Sequence, residues 1–292
     1  MKKFVLKGSG SIMKKIFGIN KSKLILKKYH KAVIAGDIDK MRKLRNSILP
    51  TKIYRYRAFD SFWYDIIIKG NVFMGTPKNF NDPFDCVLRG FEKALIHTIS
   101  KGKISSDFDE DKYVFQFPNG EKKSFSKILN EAQNNIKDLF HIACFSERGD
   151  SLPMWAHYAD NHRGYVIEYD LSKIDIYDIS PLLYKVIYLN AKAEKGIKPD
   201  ISLNRPLCAT LIKGIDWEYE KEWRMIDKYD SPKLVDLSHC ITAIYLGACF
   251  DKQKNRDELQ MIKNHLDNIG IELKEMHLNS FGCSLVSKKA IL

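Results

Sequence analysis

Cysteine is sparse and unpaired. It occurs six times in 292 residues, at positions 86, 144, 208, 240, 249 and 283, with no C-x-x-C pair and no spacing that suits a metal site. Isolated cysteines in apolar settings such as "IACFS" and "YLGACF" exclude a disulfide framework and point to reduced thiols in a cytoplasmic protein. Long apolar runs are missing as well. None approaches the ~20 residues of a membrane-spanning helix, and those near the N-terminus are too short for a signal-peptide core. Acidic residues are absent until Asp37. The opening "MKKFVLKGSGSIMKKIFGINKSKLILKKYHK" is therefore a block of one charge sign, and much of the net charge of +12 lies there. Such a block suits a nucleic acid, an anionic surface or an acidic protein partner, and it equally suits a solvated arm.

What is present is a large apolar and aromatic complement. With 45% hydrophobic and 12% aromatic residues the chain can bury a sizeable core. Apolar residues recur at helical spacing from Ile25 to Ile48, and Gly36-Asp37 marks a capped restart. Residues 1–50 thus form a Lys-rich helical extension, with "GSGS" at 8–11 as a flexible link. Residues 51–292 form one domain in which 86–139 is a helical and hairpin insertion turning at Asn119-Gly120. Strands are expected at 52–59, 71–76, 140–146, 164–170, 184–189, 222–227, 243–250, 271–278 and 283–288. Helices fall at 60–70, near Pro153, at 200–214 and at 252–270. Strands outnumber long helices without alternating with them, so the fold class is α+β with a mixed, mostly antiparallel sheet flanked by helices.

Certain stretches carry more polar chemistry than packing requires. In Tyr54-Arg55-Tyr56-Arg57, strand alternation puts both arginines on one face, ready for bidentate contact with phosphate or facing solvent at a sheet edge. Asn81-Asp82-Pro83-Phe84-Asp85 is either a loop locked by Asx turns or a source of ligand contacts. The connector "DSLPMWAHYADNHRG" places Trp155 and Tyr158 on one side of a short helix capped by Asp150 and Ser151. His157 and Arg163 point away from that side and are its ligand-facing candidates. The histidines lack metal-pair spacing, and no metal site is expected. In "WEYEKEWRMI", Glu218, Glu220 and Glu222 alternate and would share one strand face, which calls for an opposing cation such as Arg224. Glu168, in mid-strand, is edge-exposed or a second pocket carboxylate.

Taken together, "YRYR", "NDPFD", "CFSERGDSLPMWAHYADNHRGYVIEYD", "VIYL", "YEKEWRMI" and "AIYLGACF" resemble the bacterial domain-of-unknown-function family 2971 from about residue 53 to the C-terminus. Members of that family resemble parts of abortive-infection, or anti-phage, systems. The order of an Arg on an early strand (Arg55 or Arg57), a Ser closing a middle strand (Ser146) and a Glu-x-Glu opening a late strand (Glu220, Glu222) is also similar to the Arg–Ser–Glu arrangement of ADP-ribosyltransferases. That resemblance implies a split sheet with NAD as substrate. In it Arg55 and Arg57 hold the diphosphate, Ser146 positions the glutamates, and Glu222 stabilises the cationic sugar as nicotinamide leaves. Asn81, Asp82, Trp155, His157, Tyr158 and Arg163 would line such a pocket. The chain departs from the pattern in having no Ser-Thr-Ser run after Phe145. Two other classes stay open: a nuclease holding a metal ion through Asp82 or Asp85 with Glu220 and Lys221, and a non-catalytic sensor of a nucleotide or phage component.

Overall fold

The computed structural model of the protein describes residues 9–87, 114–174, 183–190, 205–228, 234–280 and 282–291. The chain begins with helix α1 (Ser9–Ala35), then Gly36 at φ +72° and helix α2 (Ile38–Arg45). Asp37 caps α2, its carboxylate accepting the Lys40 N–H at 3.1 Å, so the restart falls where the sequence puts it. Ser9 to Ser11, expected as part of a flexible link, form the first turn of α1. One glycine costs a helix only ~1 kcal/mol, which a long helix absorbs. Tyr29, Ala32 and Val33 pack into a cluster with Met41, Ile142, Tyr184, Ile187 and Ile226, and the Tyr29 hydroxyl donates to the Lys185 carbonyl at 2.9 Å. From Tyr29 onward the extension is therefore core, not an arm set apart from residues 51–292.

The strands in chain order are β1 (Lys52–Arg57), β2 (Asn71–Phe73), β3 (Val114–Gln116), β4 (Lys122–Ser124), β5 (Phe140–Ser146), β6 (Tyr165–Asp170) and β7 (Leu183–Lys185). They continue with β8 (Ile187–Leu189), β9 (Ile212–Gly214), β10 (Glu222–Lys228), β11 (Leu234–Asp236), β12 (Ile241–Leu246), β13 (Glu272–Leu278) and β14 (Leu285–Lys289). An eight-stranded sheet runs in the order β14-β13-β12-β6-β1-β5-β10-β7, and two-stranded pairs β11-β2, β3-β4 and β8-β9 surround it. Within the large sheet the pairing is antiparallel except between β12 and β13, which helix α6 (Arg256–Asn268) connects. The remaining helices are α3 (Phe125–Asp138), α4 (Leu152–Tyr158) and α5 (Arg205–Ala209). The fold is thus α+β on an open, mixed, mostly antiparallel sheet.

Several expectations shift. The segment 60–70 makes only a single wide turn, Tyr64–Ile68, closed by Gly70 at φ +68°. The run at 184–189 breaks into β7 and β8 because it changes partner. Val186 still follows the β10 register, its N–H donating to the Glu222 carbonyl at 3.0 Å, whereas Ile187 donates to the Leu211 carbonyl at 2.8 Å and pairs with β9. The 200–214 segment holds α5 and then β9, while 88–113 and 191–204 lie outside the described residues. The hairpin at 114–124 turns through Gly120 at φ +84°, the conformation glycine adopts without strain.

The feature that positions the site is a split. β1 has six register pairs with β6, and β5 has seven with β10, but β1 and β5 share only Tyr54↔Ser146. Where β1 peels away, the chain after β2 closes on β5 through Gly75, which exchanges hydrogen bonds with Ile142 at 3.0 and 2.7 Å. Around the turn after α4, Gly164 and Gly247 admit no side chain. A Cβ at either would lie 2.1 Å from the Arg57 carbonyl oxygen or 2.0 Å from that of His162. Because Tyr29 anchors α1 into the core, Tyr29→Ala should lower unfolding stability by ~3–5 kcal/mol in a urea titration, the range for losing a buried aromatic. An unchanged midpoint would mean that α1 packs independently of the sheet.

Candidate functional site

A cleft of about 430 Å³ opens at the split. Its walls come from β1, the loop at 73–85, β5, α4, β9 and the start of β10. Register decides which side chains share a face: Glu222 pairs with Ser146, Ser146 with Tyr54, and Arg224 with Cys144. Tyr54, Tyr56, Cys144, Ser146, Glu222 and Arg224 therefore leave the sheet on one side, the side covered by α4.

At the floor of the cleft lies a buried ionic network. Arg224, fully buried, forks onto Asp85 at 2.9 and 2.5 Å and onto Glu222 at 2.7 and 2.9 Å, and donates to the Thr210 carbonyl at 2.6 Å. Lys213 sits beside it, 2.6 Å from Glu220, 3.4 Å from Glu222 and 3.6 Å from Asp85. Its ammonium also lies 4.7 Å from the centre of the Trp217 ring. Three carboxyls thus face two cations. Glu220 receives a further hydrogen bond from the Tyr158 hydroxyl at 2.6 Å, and Tyr158 in turn accepts one from the Asn81 amide at 3.3 Å.

The excess carboxyl shows in the titration of the cluster. Burial and the adjacent Glu222 push Glu220 up to about 7, against the pull of Lys213. Burial also opposes ionisation of Glu222, but Arg224 and Lys213 outweigh it and hold that carboxyl below its ordinary value. Asp85 is likewise held down, at about 2, because Arg224 overcomes the cost of its burial. Glu220 is therefore the group of the cluster that exchanges a proton near neutrality.

The glutamates converge by a different route from strand alternation. Ile215–Glu220 is a 3-10 helix ending at Lys221 in the left-handed conformation, φ +47°, and only Glu222 belongs to a strand. Glu218 is exposed and paired with Lys221 at 3.1 Å. The turn at Lys221 carries Glu220 back over Glu222. Ser146 fixes it by donating to the Glu220 carbonyl at 2.6 Å while accepting from the Arg148 N–H at 3.0 Å.

Asn81, His157, Tyr158, Glu220 and Glu222 line the cleft together, with Arg55 and Arg57 reaching it from the opposite face of β1 through the split. Trp155 does not. It is fully buried behind α4 against Tyr56, and its indole N–H donates to the Gly149 carbonyl at 2.9 Å. Arg163 is exposed in the turn after α4 and lies outside the cleft. Asp82 also stays out of it, its carboxylate accepting the Phe84 N–H at 2.8 Å as an Asx turn. Ser151 occupies the cap position of α4 without a side-chain capping bond, and Asp150 pairs with Arg148 instead. Glu168, buried on β6, is saturated by Lys52, Thr242, Tyr54 and Tyr245 and serves the structure. Sequence reasoning missed Lys213, whose "LIKG" setting gives no signal, and named Asp85 only as an alternative to Asp82 in the nuclease reading, whereas it is the clamp on Arg224. Among the described residues no group of His, Cys, Asp and Glu is arranged to hold a metal ion. No helix among them is long and apolar enough to cross a membrane.

A family model described as "Protein of unknown function (DUF2971)" matches residues 154–225. The chain is similar to that family where its charges converge. The matched stretch holds Tyr158, Lys213, Glu220, Glu222 and Arg224, and it is narrower than the motif resemblance that runs from about residue 53. No curated protein and no solved structure matches the chain.

Arg224→Met should cost ~3–5 kcal/mol by urea denaturation, because Asp85 and Glu222 would be left buried without their cation. A loss below ~1 kcal/mol would rule out the clamp. The raised pKa of Glu220 sets the sign of a pH effect. Its contribution is complete below pH 4.5, the ordinary carboxyl value, and is lost as pH rises through about 7. Across that window wild-type stability should fall relative to Glu220→Gln; parallel pH profiles would contradict the assignment.

Proposed function

We propose that the cleft binds a nicotinamide dinucleotide, NAD, and breaks its N-glycosidic bond, passing ADP-ribose to a nucleophile or to water. The observation that carries this reading is the neighbourhood of β1, β5 and β10. It brings the guanidinium of Arg55 and the paired glutamates to one cleft at a sheet split, with Ser146 buried behind it and bonded to the Glu220 carbonyl. In the reaction the bond between the ribose carbon and the pyridinium nitrogen breaks, and its electron pair neutralises the nicotinamide. The cationic sugar left behind is stabilised by a carboxylate placed in advance. The attacking water or acceptor hydroxyl gives up a proton, and Glu220, with its pKa near 7, is suited to take it.

The proposal redistributes the roles implied by resemblance. Both oxygens of Glu222 are engaged by Arg224, so its charge is fixed and oriented, whereas Glu220 can change charge during a turnover. Ser146 acts as a positioning residue through the Glu220 backbone. His157, with the rings of Trp217 and Tyr219 at 6.5 and 6.4 Å, supplies an aromatic rim for a flat ring. A metal-dependent nuclease is less well served, since Asp85 and Glu222 are already bonded to Arg224 and Lys221 is turned to Glu218. The resemblance to abortive-infection proteins gives the chemistry a setting, in which producing the protein in bacteria lowers cellular NAD.

Purified protein incubated with NAD should release nicotinamide. Glu220→Gln should reduce that release ~100–10,000-fold, the usual contribution of a positioned general base, with little change in melting temperature. Glu222→Gln should be both less active and less stable, because Arg224 loses one of its two carboxylates. Absence of nicotinamide release from the wild type, with the protein folded, would overturn the proposal.

A further inference from the structure

On the face of the sheet opposite the glutamates, β1 and β6 assemble a second polar group. Register pairs Arg57 with Tyr165, Arg55 with Ile167 and Ile53 with Tyr169, so Arg55, Arg57, Tyr165 and Tyr169 leave the two strands on the same side. Tyr165 and Tyr169 are completely buried. Yet both of their hydroxyls, one terminal nitrogen of Arg55 and the Nε of Arg57 have no hydrogen-bond partner among the described residues. A buried donor left without a partner typically costs ~1–3 kcal/mol, more when it is charged, so a folded chain does not leave a group of them unmet without cause.

The charge balance gives the missing partner its sign. Arg224 has two carboxylates, whereas among the described residues Arg55 forms no ion pair and meets the Phe73 carbonyl, at 2.7 Å, and the ring of Phe145. Among the described residues Arg57 pairs with one carboxylate, Asp60, at 3.6 Å. Two guanidinium groups and two phenol hydroxyls all offer donors. The matching ligand is a compact oxyanion of the phosphate class, with several acceptor oxygens and negative charge. Both arginines border the cleft, whereas the two buried tyrosines are not among its lining residues.

We infer that Arg55, Arg57, Tyr165 and Tyr169 form a phosphate-binding seat reached through the sheet split, with the two tyrosines of β6 as anion donors. The inference deepens the nucleotide reading by giving the phosphate end its own face of the sheet, away from the carboxyls. It rests on that reading only for the identity of the natural ligand.

The test is thermal unfolding of the full chain with inorganic pyrophosphate, against sodium chloride of equal ionic strength. Pyrophosphate should raise the melting temperature of the wild type. The Arg55→Gln protein should show no such rise, and Arg55→Lys, which keeps the charge without the fork, should show an intermediate one. Tyr165→Phe with Tyr169→Phe should weaken the apparent affinity by about tenfold or more, the scale of a lost hydrogen bond to a charged group. Without pyrophosphate the double Phe variant should melt no lower than the wild type, because the hydroxyls it removes have no partner. No pyrophosphate effect on the wild type, or an equal effect on Arg55→Gln, overturns the seat. Unaltered affinity in the double Phe variant overturns the role of the tyrosines. Pyrophosphate binding without nicotinamide release would instead sink the NAD chemistry and leave the seat standing.

Discussion

The fork of Arg224 onto Asp85 and Glu222 is the interaction on which the site depends. A guanidinium with no solvent exposure is tolerated only if its charge and its donors are both met, and here two carboxylates and the Thr210 carbonyl meet them. The contact also ties together parts of the chain that are far apart: the 73–87 loop, the α5–β9 corner and the start of β10. With that corner fixed, Lys213 reaches the same cluster, and Glu220 is left as the carboxyl in excess. The raised pKa of Glu220 thus follows first from its burial and then from the negative charge of Glu222, which Arg224 keeps ionised.

The split between β1 and β5 has a similar economy. A continuous ladder there would have used the backbone of both strands and closed the cleft. One shared register pair keeps the sheet in one piece, while the Gly75 contact with Ile142 satisfies the exposed edge of β5. The two faces then take different chemistry, a cluster of three carboxyls and two cations under α4 and a pair of arginines with a single carboxylate partner among the described residues, Asp60, on the core side.

How much of this was legible depended on what each residue's signal was about. β5 is matched to the residue, because a short apolar run bounded by polar residues has one way to sit at the centre of a sheet. The Asx turn at Asp82 and the restart at Asp37 were visible because local side-chain to backbone bonds decide them. The proximity of Glu220 and Glu222 was anticipated, although a left-handed Lys221 and not strand alternation produces it. Trp155 looked like a pocket wall and is core, since aromatic density alone does not tell which side of a short helix faces in. Lys213, Tyr165 and Tyr169 gave no warning, and Asp85 was singled out without its partner Arg224. Their significance comes from partners, or missing partners, that are distant in sequence.

The most direct test of the account is a carbon-13 NMR titration of glutamate side-chain carboxyls, with the Glu220 resonance assigned by its loss in Glu220→Gln. The network predicts that this carboxyl titrates at about 7, while the Glu222 resonance stays ionised below the ordinary carboxyl range. A Glu220 resonance titrating near 4.5, the ordinary value, would contradict the charge balance from which the proposed chemistry is derived.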